Sequence, residues 1–287
     1  MNTKIIVLIV AVLIVVVGLI SWFRIKSKYS QILTDNKGTY IGVNLSGGLG
    51  NHLFQLASTI GIAKHNKATP CYTASNKAED LVDIDIQRCP AIDFATQTEN
   101  GYAIYTPFGI KISTKVGSYL QSFKYTTEQF KVNDAMNLFA KTYLKPLNKA
   151  VTRVGIHVRR GDHISLGYLR FPPDQYFKNA MQYFRAKYGD IQFVVSSNDV
   201  EWCKKQSFFD EAHIITENHS SIQDMAILSN CDHVIVSIGT FGWWSATMSK
   251  GDVVYYVNEF DMEHKTNKDN VNPDDYFPTE WIGMSDT

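Results

Sequence analysis

Four polar or glycine-rich turns carry the side chains that could do chemistry. The most specific is His157-Val-Arg159-Arg160-Gly-Asp162, in which two guanidiniums follow an apolar run beside a histidine and a carboxylate. Guanidiniums so placed suit bidentate capture of a phosphate or carboxylate, and an arginine with Asp162 could equally form a structural ion pair on the surface. In Ser237-Ile-Gly-Thr240-Phe241-Gly242, Thr240 is expected to cap the following helix, whose bared amides and dipole favour an anion. Ser196-Ser197-Asn198-Asp199 offers small hydroxyls and then a helix cap at Asn198 or Asp199. The fourth turn, Gly47-Gly48-Leu-Gly50-Asn51-His52, bares amides near a helix start, with Asn51 and His52 expected to face a crevice. It is not a dinucleotide fingerprint, because Leu53 stands where that pattern needs glycine. A diphosphate held by one arginine and one helix N-terminus needs no metal. Asp83-Ile-Asp85 has the spacing of a metal-binding Asp-x-Asp pair, but its flanks give no strand end and it reads as structural. No zinc-like Cys/His spacing occurs in the sequence.

These turns need elements to aim them. Apolar runs at 40–45, 153–158, 192–196, 213–216, 233–238 and 253–257 read as strands. Helical spacing marks 51–64, 173–188, 199–206, 221–230 and 241–249, and places Trp243 and Trp244 in the core. Short apolar strands alternating with helices predict an α/β protein with parallel sheets and crossover helices. Residues 149–287 therefore read as one Rossmann-like lobe and 39–148 as another. The stretch 70–150 is less regular and ends in a helix over 127–143. Open parallel sheets bind ligands at the carboxyl ends of their strands, where all four turns fall.

The 287 residues carry 28 basic and 28 acidic side chains, a balance without the footprint of a nucleic-acid binder. Aromatic residues at 13% argue against disorder. The overall hydrophobic share of 45% hides one bias: residues 5–23 read IIVLIVAVLIVVVGLISWF, without a charge. As a helix this segment spans roughly 28 Å, close to the hydrocarbon thickness of a bilayer. Ser21-Trp22-Phe23-Arg24 offers no small-x-small cleavage site, so an uncleaved transmembrane signal anchor is expected, followed by a polar stem over 24–38. Arg24, Lys26 and Lys28 outnumber Lys4, so the positive-inside rule alone favours a cytoplasmic C-terminus. Cys71, Cys89, Cys203 and Cys231 permit three pairings; Cys203 and Cys231 are expected at opposite ends of a sheet, too far apart to bridge. Of two glycosylation sequons, Asn44 ends a strand expected to be buried, whereas Asn218 falls in a polar loop and is the better acceptor.

In order along the chain, GGLGNHLFQLA (47–57), GSYLQSFKY (117–125), VGIHVRRGD (154–162), FVVSSNDVEWCK (193–204), HVIVSIGTFGWWSA (233–246) and YFPTEWIGM (276–284) resemble the galactoside α-1,2-fucosyltransferases of glycosyltransferase family 11. The resemblance implies a GT-B-like fold of two Rossmann-like lobes. It implies GDP-L-fucose (GDP-fucose) as donor, the 2-hydroxyl of a terminal galactose on a glycan as acceptor, inversion at the anomeric carbon, and no cofactor or obligatory metal. It also implies a type II protein of the Golgi membrane. That overrides the charge count, making 1–4 a cytoplasmic tail and placing the C-terminus in the lumen.

Carried over residue by residue, Arg159 would neutralise charge on the leaving GDP, with Arg160 and Asp162 fixing it or contacting the nucleotide. His157, Ser197, Asp199 and Ser237 would join the donor site, and Thr240 with the amides of Phe241 and Gly242 would hold phosphate. Gly48, Gly50 and Asn51 would line the cleft from the first lobe, an acceptor-side lobe. His52 stands where many family members carry Gln. The base stays open: His52 or Asp162 takes the acceptor proton, or the reaction is dissociative enough to need no strong base. The rivals are a catalytically silent member that binds glycan or nucleotide, and a related transferase with another donor or linkage.

Overall fold

Each lobe is built on a parallel sheet, as the alternation of elements requires. The computed structural model describes residues 38–126, 130–147, 152–161, 167–216 and 218–286; the apolar segment 5–23 and Asp162 lie outside the described residues. In the first lobe the strands are β1 (Tyr40–Asn44), β2 (Thr69–Thr73), β3 (Gln87–Arg88), β4 (Ala95–Thr98) and β5 (Thr114–Gly117), ordered β3-β2-β1-β5-β4. Helix α1 (Leu49–His65) crosses from β1 to β2, and α2 (Asp134–Leu144) begins where the Asn133 side chain accepts from the Met136 amide at 2.9 Å. That cap starts α2 later than the expected position 127.

The second lobe runs β6 (Thr152–Val158), α3 (Asp174–Tyr188), β7 (Ile191–Ser197), α4 (Val200–Lys204), β8 (His213–Ile214), α5 (Ser221–Ser229), β9 (His233–Val236), α6 (Thr240–Thr247), β10 (Val253–Tyr256), α7 (Pro273–Tyr276) and β11 (Ile282–Met284). Its sheet order, β8-β7-β6-β9-β10-β11, is that of the doubly wound dinucleotide fold. The chain leaves β6 toward β7 and returns to its other side as β9, so the crevice opens at the carboxyl ends of β6 and β9. Among the described residues no helix is long and apolar enough to cross a membrane.

One apolar core runs through both lobes. Phe54 of α1 packs on Trp243 and Trp244 of α6, with ring centroids 4.4 and 5.3 Å apart, and lies 6.0 Å from Tyr276. Trp243 and Trp244 are fully buried, and the Trp243 Nε1–H donates to the Tyr276 carbonyl at 2.9 Å. They are core residues, as their helical spacing predicted. Close to its end the chain returns to the first lobe. The Tyr102 hydroxyl donates to Asn267 Oδ1 at 2.6 Å, the Tyr105 amide to Asp275 Oδ2 at 2.8 Å, and Lys124 pairs with Asp275.

Cys71, in the middle of β2, and Cys89, just past β3, form a disulfide with Cα atoms 4.8 Å apart, whereas Cys203 and Cys231 are buried free thiols. The separation of 18 residues predicts a loss of about 3 kcal/mol on replacing both bridged cysteines by serine, measured by urea unfolding. An unchanged midpoint in the double variant would rule that contribution out. Asn44 corrects the sequence reading: its side chain is exposed at the end of β1 and accepts from the Thr73 hydroxyl, so burial does not argue against modification there.

Candidate active site

The carboxyl ends of three neighbouring strands are stitched together beneath a cleft. From the β6 exit, the Arg159 amide donates to Ser237 Oγ at 2.8 Å, past the end of β9. The Arg160 amide donates to Asn198 Oδ1 at 2.8 Å, past the end of β7. These bonds fix the backbone from which the Arg159 side chain enters the cleft. On the same face, His157 is buried with Nδ1 3.5 Å from Ser237 Oγ and its ring 5.1 Å from Phe241. Burial, and then the nearby Arg159 charge, lower the His157 pKa to about 3. The imidazole is therefore neutral and can only be a hydrogen-bonding group here.

Arg160 turns the other way. Its guanidinium lies 4.2 Å over the Trp202 ring and its Nε is 3.6 Å from Asp199 Oδ2, while Asp199 caps α4 by accepting from the Trp202 amide at 3.1 Å. Neither Arg160 nor Asp199 lines the cleft, so the expected pair of guanidiniums becomes one. Ser197 lines the cleft, and its hydroxyl accepts from the Asp199 amide at 2.9 Å.

At α6 the N-cap is Gly239, held at φ +83°, a conformation that favours glycine. Thr240 is therefore not the cap. Its hydroxyl instead donates to Asn51 Oδ1 at 3.0 Å, across the two lobes. Asn51 Oδ1 also accepts from Gln121 Nε2 at 3.1 Å. Gly50 lies so close to α6 that a Cβ there would meet the Thr240 carbonyl carbon at 2.5 Å and the Phe241 nitrogen at 2.7 Å. Gly242 is buried beneath the cleft floor against the His157 ring.

The resulting cleft has a volume of about 990 Å³. Gly48, Gly50 and Asn51 line it from the first lobe, and His157, Arg159, Ser197, Thr240 and Phe241 from the second. His52 lies outside this wall. It is buried, its Nδ1 accepts from the Lys77 amide at 3.1 Å, and burial followed by the Lys77 charge lowers its pKa. A neutral imidazole accepting at Nδ1 carries its proton on Nε2, so it has no lone pair left to act as a base. Adjacency in sequence does not bring His52 to the cleft beside Asn51, because one residue of helix rotates a side chain by about 100°.

Several wall residues were given no role from the sequence, although Tyr119 and Gln121 lie in the GSYLQSFKY segment. Lys77, Tyr102, Tyr119 and Gln121 come from irregular segments of the first lobe, and His219, Asp224, Tyr168 and Glu259 from loops and a helix start of the second. His219 Nδ1 lies 3.3 Å from Asp224 Oδ1, and Ser196 Oγ donates to Asp224 Oδ2 at 3.1 Å. Among the described residues no group of three or more His, Cys, Asp or Glu side chains could hold a metal ion. Asp83 and Asp85 are exposed and do not line the cleft.

The Tyr119 segment is strained and held from below. Ser118 and Leu120 have φ of +79° and +53°, and the buried Glu99 carboxyl accepts from the Leu120 amide at 2.7 Å. Burial raises the Glu99 pKa to about 8, above its value in the unfolded chain. A raised carboxyl pKa gives stability that is complete below about pH 4.5 and is lost as pH rises through about 8. Denaturant unfolding of the wild type should weaken over that window, and Glu99→Gln should flatten part of the slope. Identical pH profiles for the two proteins would contradict the assignment.

The chain is 32% identical over 171 residues to galactoside alpha-(1,2)-fucosyltransferase 1 of Alouatta belzebul, a match covering 55% of this chain and 46% of the relative. It is 36% identical over 147 residues to the protein of the same name in Sus scrofa, covering 47% and 39%. The chain thus spans under half the length of the curated relatives it matches. In fold it is similar to POFUT1 in complex with GDP-fucose, with a TM-score of 0.50 at 13% identity, covering 77% of this chain and 98% of that one. The sequence model of glycosyl transferase family 11 matches residues 5–285, nearly the full length, and the chain belongs to that family.

Proposed function

We propose that the protein is an inverting galactoside 2-α-L-fucosyltransferase, moving L-fucose from GDP-fucose to the 2-hydroxyl of a terminal galactose on a glycan. The observation that carries this reading is Arg159, aimed into the cleft at a β6/β9 switch point opposite the N-terminus of α6. That arrangement meets a diphosphate with one guanidinium and one helix dipole. As the bond from the anomeric carbon to the diphosphate breaks, charge grows on the departing oxygen, and Arg159 stabilises it. The His219–Asp224 pair, 3.3 Å apart across the cleft wall, is a polar edge complementary to the donor and acceptor groups of a guanine base. His157 contributes a neutral ring. Asn51, which ties the lobes through Thr240, keeps the acceptor side in register.

The test is a donor and acceptor screen with the linkage of the product determined by NMR. Fucose on O2 of galactose with β-to-α inversion supports the reading. Another linkage or donor moves the protein to a related transferase, and nucleotide binding without turnover makes it a silent member.

The same reading makes residues 5–23 a signal anchor with the catalytic region in the Golgi lumen. The Cys71–Cys89 disulfide supports an oxidising compartment, and Asn218 is exposed in its sequon. A mobility shift removed by glycosidase and lost in Asn218→Gln is the expected result. Protease sensitivity of the C-terminal region in sealed microsomes would overturn the topology.

A further inference from the structure

Glu259 is the buried acid of the cleft with no assigned role. It follows β10, is 2% exposed, and lines the cleft beside α6. Its Oε1 accepts from the Gly239 amide, the N-cap of α6, at 2.7 Å. Among the described residues its second oxygen has no hydrogen-bond partner. The segment is braced by the Arg170 amide, which donates to the Glu259 carbonyl at 2.8 Å.

The position is the one at which a helix N-terminus favours an anion, yet a carboxyl group already occupies one of its amides. An ionised Glu259 next to a bound diphosphate would place like charges together in a desolvated cleft. A protonated Glu259 removes that conflict. It keeps Oε1 on the Gly239 amide and turns an O–H toward the ligand, passing the helix end's attraction outward as a hydrogen bond. Resting on the donor reading above, we propose that Glu259 binds the nucleoside diphosphate as a neutral carboxylic acid, donating its proton in a hydrogen bond to a phosphate oxygen.

The surroundings favour the neutral form. The titratable side chains that face it are the phenols of Tyr102, Tyr176 and Tyr276, from the first lobe, α3 and α7, and each is itself held protonated by burial. The remaining titratable groups of the cleft wall are Lys77, Tyr119, His157, Arg159, Tyr168, His219 and Asp224, and none of them contributes to the Glu259 shift. Burial, opposed only by the Gly239 amide, raises its pKa to about 8. The free protein thus loses the proton in mildly alkaline solution, and the complex must take it back from solvent.

Binding of GDP to the full chain, followed by titration calorimetry, reads this directly. Between about pH 7 and about pH 9 the dissociation constant should rise about tenfold, with uptake of close to one proton at the upper pH, counted from the heat in buffers of different ionisation enthalpy. Glu259→Gln, which keeps the acceptor for Gly239 and a donor toward the ligand, should bind with less than about twofold change over the same range. Titration of the nucleotide itself would persist in that variant, which separates it from Glu259. A wild-type affinity independent of pH, or a proton count near zero at the upper pH, overturns the proposal and needs no variant to do so. An equal pH dependence in wild type and Glu259→Gln also overturns it. If GDP binds at neither pH, the donor reading fails and takes this inference with it.

Discussion

Arg159→Ala should lower fucosyl transfer by a factor of about 10²–10³, the loss of roughly 3–4 kcal/mol expected when one preorganised donor to a developing anion is removed. The effect should fall on kcat as well as KM, because the guanidinium meets more charge in the transition state than in the bound donor. Folding should survive: the β6 exit is fixed by the Arg159 amide on Ser237 Oγ and the Arg160 amide on Asn198 Oδ1, and the substitution keeps both donors. Steady-state kinetics with a circular-dichroism melt decide the matter, and near-normal turnover would remove Arg159 from its role. Arg160→Ala is a contrasting probe. It strips a cation from the Trp202 face and from Asp199, so its first effect is expected on the melting temperature.

Gly50→Ala should damage the site without touching a reacting group. The new methyl would meet backbone atoms of Thr240 and Phe241 at 2.5 to 2.7 Å, well inside contact distance, and backbone cannot rotate away as a side chain can. The lobes must separate locally, at a cost of about 1–3 kcal/mol typical of overpacking. The same displacement stretches the bond from Thr240 to Asn51, which is 3.0 Å long. A lower melting temperature together with a raised KM for the donor is expected. If both stay at wild-type values, the close approach of α1 and α6 does not govern the cleft.

The second lobe was legible because its strands are apolar runs between helices of regular spacing. Phe193, Val194 and Val195 of β7 and Val234, Ile235 and Val236 of β9 are buried, as a sheet covered on both faces requires. Arg159 was legible for the same reason: a strand read correctly fixes where its end points. Half of the first lobe gave no such signal. β3 is Gln87–Arg88, both exposed, and β4 is Ala-Thr-Gln-Thr with a single residue better than exposed, so neither shows an apolar period. Tyr102, Tyr119 and Glu259 reach the cleft from irregular backbone, whose direction only tertiary contacts decide. The second guanidinium was overread because Arg160 and Trp202 are 42 residues apart in sequence and meet only in the fold. Thr240 has the residue type of a cap, but Gly239 at φ +83° ends the loop one residue earlier.

The core shared between the lobes sets the order in which the chain can complete itself during synthesis. Phe54 is made well before the rings that bury it, Trp243, Trp244 and Tyr276, which follow it far along the chain. The first lobe must wait with its apolar helix face uncovered while the second is made, a state that favours chaperone capture. The Cys71–Cys89 link closes over 18 residues and is available long before then, so it can hold β2 and β3 together during the wait. Chains truncated before α6 therefore hold a first lobe that lacks its lid of tryptophans, and quality control decides their fate.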